Sequence, residues 1–376
     1  MKKITIINDH LGVGGIEQYI SSLSSMLEDN YEVELVVGYK FNDIPSYHIS
    51  AKNTIYYLVE RPYNQILIDR FKRRKKYFKY IEALIWKLKV RIHKTMREIN
   101  VIKQINSDYI ITTRAFDAFL VSLFAKKRGI KKIAIDFYYP TKMHEIILNL
   151  ATFAYSKVIV LNEEVKNIYK KRFKNKVFAI NNFINTDVEY ISDLNNKNII
   201  SIGKLSKNKG FFDLLNIMKI LVEKDDEIKL FIIGDGKESR ALRNKIKDLH
   251  LENNVVLTGF LNQFEIEDYM INSSVYAMCT KNENYGINLL EAMNYGLPVF
   301  AFDSAQSAQK LLKDGSGILV PNRDIYEYAD RLYRMLHNRK MRDFYSTRSL
   351  EKVQNYSIIK AKYAWINMLE EMTIGR

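Results

Sequence analysis

Apolar residues follow two rhythms along the 376-residue chain. Some form short unbroken runs bounded by turn residues, which predict buried strands; others recur every three or four positions, which predicts helices with one buried face. Residues 3–8 read as a first strand, His10-Leu-Gly-Val-Gly-Gly as a glycine loop, 16–27 as a helix and 33–37 as a second strand. A strand–loop–helix–strand unit of this kind opens a doubly wound sheet. Further strands are expected at 54–59, 108–112, 132–135 and 157–160, with helices at 116–127, 143–155 and 163–172. Residues 66–105 predict one long helix or two, and the run from Val177 closes the first half. Polar, weakly patterned residues 185–198 read as a crossing. The alternation then restarts, with strands from 198 and at 229–233, 255–257, 275–279, 299–302 and 317–320. Helices are expected at 211–223, 237–249, 263–272, 286–295 and 304–313, and the chain ends in helical patterns at 325–336 and 357–372. The expected class is therefore α/β, built from two similar parallel sheets.

Length changes this picture little, since 376 residues accommodate two domains with real cores. Hydrophobic and charged contents of 47% and 27% are ordinary for globular proteins. Five prolines and fifteen glycines leave little room for long disordered linkers. The single cysteine, Cys279, excludes an internal disulfide and lies in an apolar strand pattern, which points to a reducing compartment. The apolar part of residues 1–9 is too short for a signal peptide and reads better as a strand. The uncharged run 146–156 falls well short of the ~20 residues a spanning helix needs. The expectation is a soluble, cytoplasmic protein.

Charge adds more. The net charge is +15, and residues 60–103 hold fourteen Lys/Arg against four Asp/Glu, a net of +10. In this basic segment, aromatic and aliphatic residues interleave with the cations. A basic helix with Trp and Tyr at its apolar edge suits the headgroup layer of an anionic membrane, and Arg73, Arg74, Lys75, Lys76, Lys79 and Trp86 are the candidate contacts. The plainer alternative packs the apolar face on the domain and leaves the charges in water. No recognised nucleic-acid module accompanies the segment, so no nucleic-acid partner is expected.

Candidate chemistry concentrates in one stretch, Glu283-Asn-Tyr-Gly-Ile-Asn-Leu-Leu-Glu291, which ends in a Gly296-Leu-Pro298 stop signal. The amides of Tyr285, Gly286 and Ile287 would be the unpaired donors of a helix start, which favour an anion. An anion cradle flanked by two carboxylates fits a nucleotide-sugar, with phosphates between hydroxyl-bearing ends. A surface helix with two solvated acids is the simpler alternative. The stretch resembles the E-x7-E signature of the retaining family 4 glycosyltransferases. That resemblance implies a GT-B fold, two Rossmann-like domains facing a central cleft. It implies that Glu291 binds the ribose hydroxyls and that Glu283 contacts the donor sugar. Gly203-Lys204-Leu and Lys209-Gly210 are similar to the family's G-R-L…K-G segment, which supplies two cations to the donor diphosphate. Such cations stabilise charge as it develops on the leaving group, although lysine offers a point charge where arginine would grip with two prongs. In relatives, a strand end like that at Gly234 shapes the donor floor, and one like Gly259-Phe260 faces the base. Gly14 and Gly15 match a loop near the donor phosphate and acceptor. A dinucleotide-binding reading of that loop fails, because Glu17 occupies the third position of G-x-G-x-x-G.

The acceptor side departs from the family. Where relatives carry a histidine after a mid-domain strand, this chain has Ile133-Ala-Ile-Asp136-Phe-Tyr-Tyr-Pro, with His144 a few residues on. Asp136, His144 and Arg114 are the acceptor-side candidates. No D-x-D pair or histidine ligand spacing is present, so neither metal nor other cofactor is expected. The resemblance divides the chain into residues 1–185 (acceptor side, with the basic segment 66–105), 186–352 (nucleotide-sugar side) and 353–376, a last helix crossing back to the first domain. It implies transfer from a UDP-sugar to a saccharide, lipid-linked at the inner face of the cell membrane, in capsule- or O-antigen-like assembly. Other readings are a non-catalytic GT-B subunit partnering another glycosyltransferase, a UDP-sugar 2-epimerase, and a basic nucleic-acid-binding protein.

Overall fold

The structure, a computed structural model, describes residues 1–374 apart from Val13, Asn42, Arg61, Tyr139, Pro140, Asn284 and Tyr285, and apart from the side chains of Ile66, Asn322 and Ile374. The chain divides into two compact units, Met1–Asn182 with Ala361–Arg376, and Phe183–Lys360. Each is built on one parallel sheet, seven-stranded in the first and six-stranded in the second.

In the first unit, β1 (Lys2–His10), α1 (Gly15–Leu27), β2 (Tyr31–Tyr39) and β3 (Thr54–Val59) are followed by α2 (Gln65–Arg73) and α3 (Tyr77–Gln104). Then come β4 (Tyr109–Thr112), α4 (Ala115–Phe124), β5 (Lys131–Asp136), α5 (Lys142–Ala151), β6 (Lys157–Val160), α6 (Glu163–Phe173) and β7 (Val177–Ala179). The strand order is β3-β2-β1-β4-β5-β6-β7. Strands covered on both faces should be apolar throughout, and Ile4, Ile6, Ile7, Ile110, Ile111, Val158 and Ile159 are all buried. The basic segment forms two helices rather than one, because Lys75 between them takes a left-handed φ of 52° that no helix continues through.

A network of charges anchors α3. Its Lys94 ammonium, buried at the end of β1, lies 2.5 Å from Glu98 Oε2, 3.4 Å from Asp117 Oδ1 and 3.9 Å from Asp9 Oδ1. Gly38 makes room for it, since a Cβ there would come within 2.8 Å of Lys94 Cε. Only Val90, Lys94, Glu98 and Ile102 of α3 are buried, so the helix is held by its second half.

The second unit runs β8 (Asn198–Ile202), α7 (Phe211–Val222), β9 (Lys229–Ile233), α8 (Ser239–Asp248), β10 (Val255–Gly259), α9 (Gln263–Ile271) and β11 (Val275–Met278). It continues with α10 (Ile287–Asn294), β12 (Val299–Phe302), α11 (Gln306–Leu312), β13 (Ile318–Val320), α12 (Ile325–His337) and α13 (Arg339–Val353). The order is β10-β9-β8-β11-β12-β13. The last helix, α14 (Ile358–Ile374), starts in this unit, but its body belongs to the first. There Trp365 and Leu369 are fully buried, Trp365 Nε1 donates to Tyr19 Oη at 3.3 Å, and Tyr109 Oη donates to the Leu369 carbonyl at 3.0 Å.

Helix α13 carries no apolar periodicity and is not expected from the sequence. Its inward positions are Arg342, Ser346, Ser349 and Val353, a helical spacing filled by mostly polar side chains. Arg342 and Ser349 find carbonyl partners on the segments the helix packs against. Arg342 donates to the Met335, Leu336 and Leu194 carbonyls, and Ser349 Oγ donates to Leu297 O at 2.9 Å. Among the described residues, no helix is long and apolar enough to cross a membrane.

The Lys94 network yields a test. Burial, with the Asp117 carboxylate beside it, pushes Glu98 up to about 8, against the pull of Lys94. The unfolded chain gives up this proton near pH ~4.3. Between those values folding retains a proton, so this contribution is fully present at acid pH and is lost as pH rises toward 8. Glu98→Gln is expected to flatten that decline; denaturant midpoints measured from pH 5 to 9 should fall more steeply for the wild type, and parallel curves would show that Glu98 is not the group.

Candidate active site

In a parallel sheet all strands end on one side, and ligands bind beyond those carboxyl ends. At that edge of the second unit, glycines let loops approach one another. Gly234 N donates to Gly259 O at 2.8 Å, and Gly203 N to Ile233 O at 2.9 Å. A Cβ on Gly234 would sit 2.2 Å from the Gly203 carbonyl oxygen, and one on Gly210 only 1.9 Å from Cys279 O. Gly234, Gly210 and Gly259 also have φ values of 134°, 70° and 81°, which glycine adopts without strain. Phe260, next after Gly259, is exposed.

Two loops meet beside this edge. The turn at Lys207–Lys209 follows β8, and residues 279–283 follow β11. Lys281 N donates to Asn208 O at 2.8 Å and Asn208 Nδ2 to Asn282 O at 2.9 Å. Across them Lys209 Nζ forms an ion pair with Glu283 Oε2, both side chains partly buried. Lys204 follows Gly203 and is exposed.

Helix α10 starts immediately beyond. Gly286 caps it in a left-handed conformation (φ 62°), and the first amides of such a helix have no carbonyl one turn earlier to accept them. Ile287 is buried, and Asn288 Nδ2 donates to Ile202 O at 2.8 Å, tying the helix start to the end of β8. Glu291 lies one turn further and is partly buried. The buried Tyr276 phenol is pushed well above its ordinary range by desolvation, and the Glu291 and Glu283 charges add to that push. Both glutamates therefore act electrostatically on one side chain. Tyr285 lies outside the described residues.

Arg323 is a member of this site that no motif spacing marks. It follows β13 in a turn and donates to Ser304 Oγ at 2.9 Å, Cys279 O at 3.0 Å and Thr280 O at 3.4 Å. It also pairs with Asp213, in the first turn of α7, and stacks on the Phe302 ring. The guanidinium thus clamps the base of the Glu283 loop to the helix that follows Lys209. Its backbone carries the cost, with a φ of 54°.

The first unit gathers the remaining candidates at its own strand ends. Asp136 closes β5 and accepts from Tyr169 Oη at 2.6 Å and from the Tyr138 amide at 3.1 Å. His144 Nε2 lies 3.0 Å from Asp136 Oδ1, and that hydrogen bond raises the imidazole above its usual range. An acid and a histidine eight residues apart therefore form one pair, the helix start at Thr141 turning the chain back. Arg114, heading α4, pairs with Asp9 and lies 3.9 Å from Asp117 Oδ2, so its guanidinium belongs to the network around Lys94. Gly14 and Gly15 open α1, and Gly14 faces Glu17, whose Oε2 would be 2.1 Å from a Cβ there. Arg73, Arg74, Lys75, Lys76 and Lys79 are exposed, as is Trp86.

Residues 184–351 match the family described as glycosyl transferases group 1. An uncharacterized glycosyltransferase of Haemophilus influenzae is 26% identical over 98% of this chain and 100% of its own length. The amylovoran biosynthesis glycosyltransferase AmsD of Erwinia amylovora is 27% identical over 95% of this chain and 96% of its own. S. aureus TarM, solved with fondaparinux, alpha-GlcNAc-glycerol and UDP, superimposes with a TM-score of 0.76 at 15% identity, covering 98% of this chain and 99% of that one. The fold is thus GT-B.

Removing the Arg323 clamp strands Asp213 and two carbonyls. Arg323→Ala is expected to cost ~1–3 kcal/mol, while Arg323→Gly should recover ~1 kcal/mol of that by relieving the left-handed backbone. Urea unfolding of the two variants checks this, and an alanine variant as stable as the wild type would remove the clamp from the account.

Proposed function

We propose that this chain, whose residues 184–351 match the group 1 glycosyl transferases, moves a sugar from a UDP-sugar to a saccharide acceptor with retention and without a metal. The observation that carries this reading is the Lys209–Glu283 pair set beside the start of α10, with Glu291 one turn along the same helix. Lys209, Lys204 and the first amides of α10 offer positive charge to a diphosphate that gains charge as the sugar departs. That charge comes from the chain itself, which is why the reading needs no cation. Glu283 takes donor-sugar hydroxyls, Glu291 the ribose, and Gly203, Gly234 and Gly259 let the nucleotide approach backbone, with Phe260 offering a ring to the base. TarM, solved with UDP, supports the choice of nucleotide.

On the acceptor side, the Asp136–His144 pair orients a hydroxyl. Retention asks little of a protein base, since the departing phosphate can take the acceptor proton on the same face. The acceptor is read as lipid-linked, and the product as an envelope polysaccharide, a reading supported by the similarity to AmsD of amylovoran biosynthesis. The exposed cations Arg73, Arg74, Lys75, Lys76 and Lys79 would hold the chain on an anionic membrane, each adding ~1 kcal/mol near the surface.

Two measurements test this. Lys209→Met is expected to lower kcat ~10²–10³-fold in UDP-sugar turnover, and Glu291→Gln to weaken UDP binding read by thermal shift; unchanged turnover and binding would defeat these roles. Reversing Arg73, Arg74, Lys75 and Lys76 to glutamate should weaken low-salt sedimentation with phosphatidylglycerol-containing vesicles, whereas equal sedimentation would show that the basic segment does not attract the membrane.

A further inference from the structure

The exposed apolar surface of the first unit extends beyond the basic segment. On α3, Phe78, Ile81, Ile85, Leu88, Ile92 and Met96 are all exposed, Phe78 by 91%. Their three- and four-residue spacing makes one stripe, on the side of the helix away from Val90, Lys94, Glu98 and Ile102. Helix α4 packs between α3 and α5 and repeats the arrangement, with Phe116, Phe119 and Leu123 exposed and Asp117, Ala118, Leu120 and Val121 buried. On α5, Met143, Ile146, Ile147 and Leu150 are exposed, followed by Phe153, while Leu148 and Ala151 face inward. Apolar patches of this extent are uncommon on a surface that meets only water.

The rim is basic. Lys126, Lys127 and Arg128 follow α4, Lys142 opens α5, and Lys176 reaches the Phe153 carbonyl. The only acid of α4, Asp117, is fully buried. An apolar face with a cationic edge complements the acyl and headgroup layers of an anionic bilayer. A water-soluble partner would need a matching apolar face and an acidic rim.

We propose that the outward faces of α4 and α5 insert into an anionic bilayer, continuing the stripe of α3 as one lipid-embedded surface. This deepens the membrane part of the proposed function from attraction by charge to burial of apolar side chains. It also gives the Asp136–His144 pair a location. His144 lies in the first turn of α5, one turn before Ile147 and Leu150, so the pair stands at the lipid boundary, where the head of a lipid-linked acceptor would be found.

Insertion and attraction separate by salt. At ~1 M salt the screening length falls to ~3 Å, which removes charge attraction and leaves buried apolar area. The full chain is expected to stay on phosphatidylcholine–phosphatidylglycerol vesicles at high salt. Ile147→Ser, Leu150→Ser and Phe153→Ser combined should weaken that salt-resistant binding at least ~10-fold while sparing low-salt binding. These side chains are exposed, so the fold is kept. Cys279 is the chain's only cysteine and is buried, so Leu150→Cys can carry a polarity-sensitive dye. A blue shift on adding vesicles supports insertion, whereas no shift on protein that still sediments places α5 in water and overturns it. A shift that grows with protein concentration without vesicles, together with a doubled mass, would instead assign the face to a second copy. Failure of the basic segment alone appears only in the low-salt arm, so the two readings fail separately.

Discussion

Two loops at the carboxyl ends of β8 and β11 must meet for the second unit to present its charges together. The Lys209–Glu283 ion pair marks that meeting but does not enforce it, since pairs this open to water contribute only ~0–1 kcal/mol. Geometry is enforced by the close approach of Gly210 to the Cys279 carbonyl, by the backbone bond from Lys281 to Asn208, and by Arg323 closing the far side. The ion pair is therefore available to exchange partners, and the loops keep their places when it does. Under the proposed function, a diphosphate-sugar would displace this pair without unsettling the fold.

The first unit solves an opposite problem. Its α3 exposes apolar side chains along a stripe and buries charge, an inversion of the usual helix. Burying Lys94, Glu98 and Asp117 together is tolerable because the ammonium lies against both carboxyl groups, as an unpaired buried charge would be strongly destabilising. With the helix held from Val90 onward, residues 77–89 are free of core-forming duties. The same logic extends to α4, whose acid is spent in the network and whose outer face is wholly apolar.

The Asp136–His144 pair is assembled from elements that are separate along the chain. Asp136 at a strand end and His144 in the next helix lie within 3.0 Å, and Tyr169 holds the acid from a third element. The strand end itself supplies no histidine, and the one that meets Asp136 comes from the following helix.

The alternation of strand-like and helix-like runs was sufficient to place nearly every element, because buried parallel strands and one-sided helices each impose a spacing on apolar residues. The glutamates, lysines and glycines proposed for the donor side stand after strands and before helices, as the alternation expects. Helix α13 was not legible, since its inward face is Arg342, Ser346 and Ser349, of which Arg342 and Ser349 donate to carbonyls outside the helix. Arg323 was not legible because its partners come from three separate segments, and no spacing along the chain encodes that convergence. Whether the apolar side of residues 66–105 faces core or solvent was likewise undetermined, because periodicity states that a helix has two faces. Only the packing of Lys94 against Asp117 and Asp9 decides which of them turns inward.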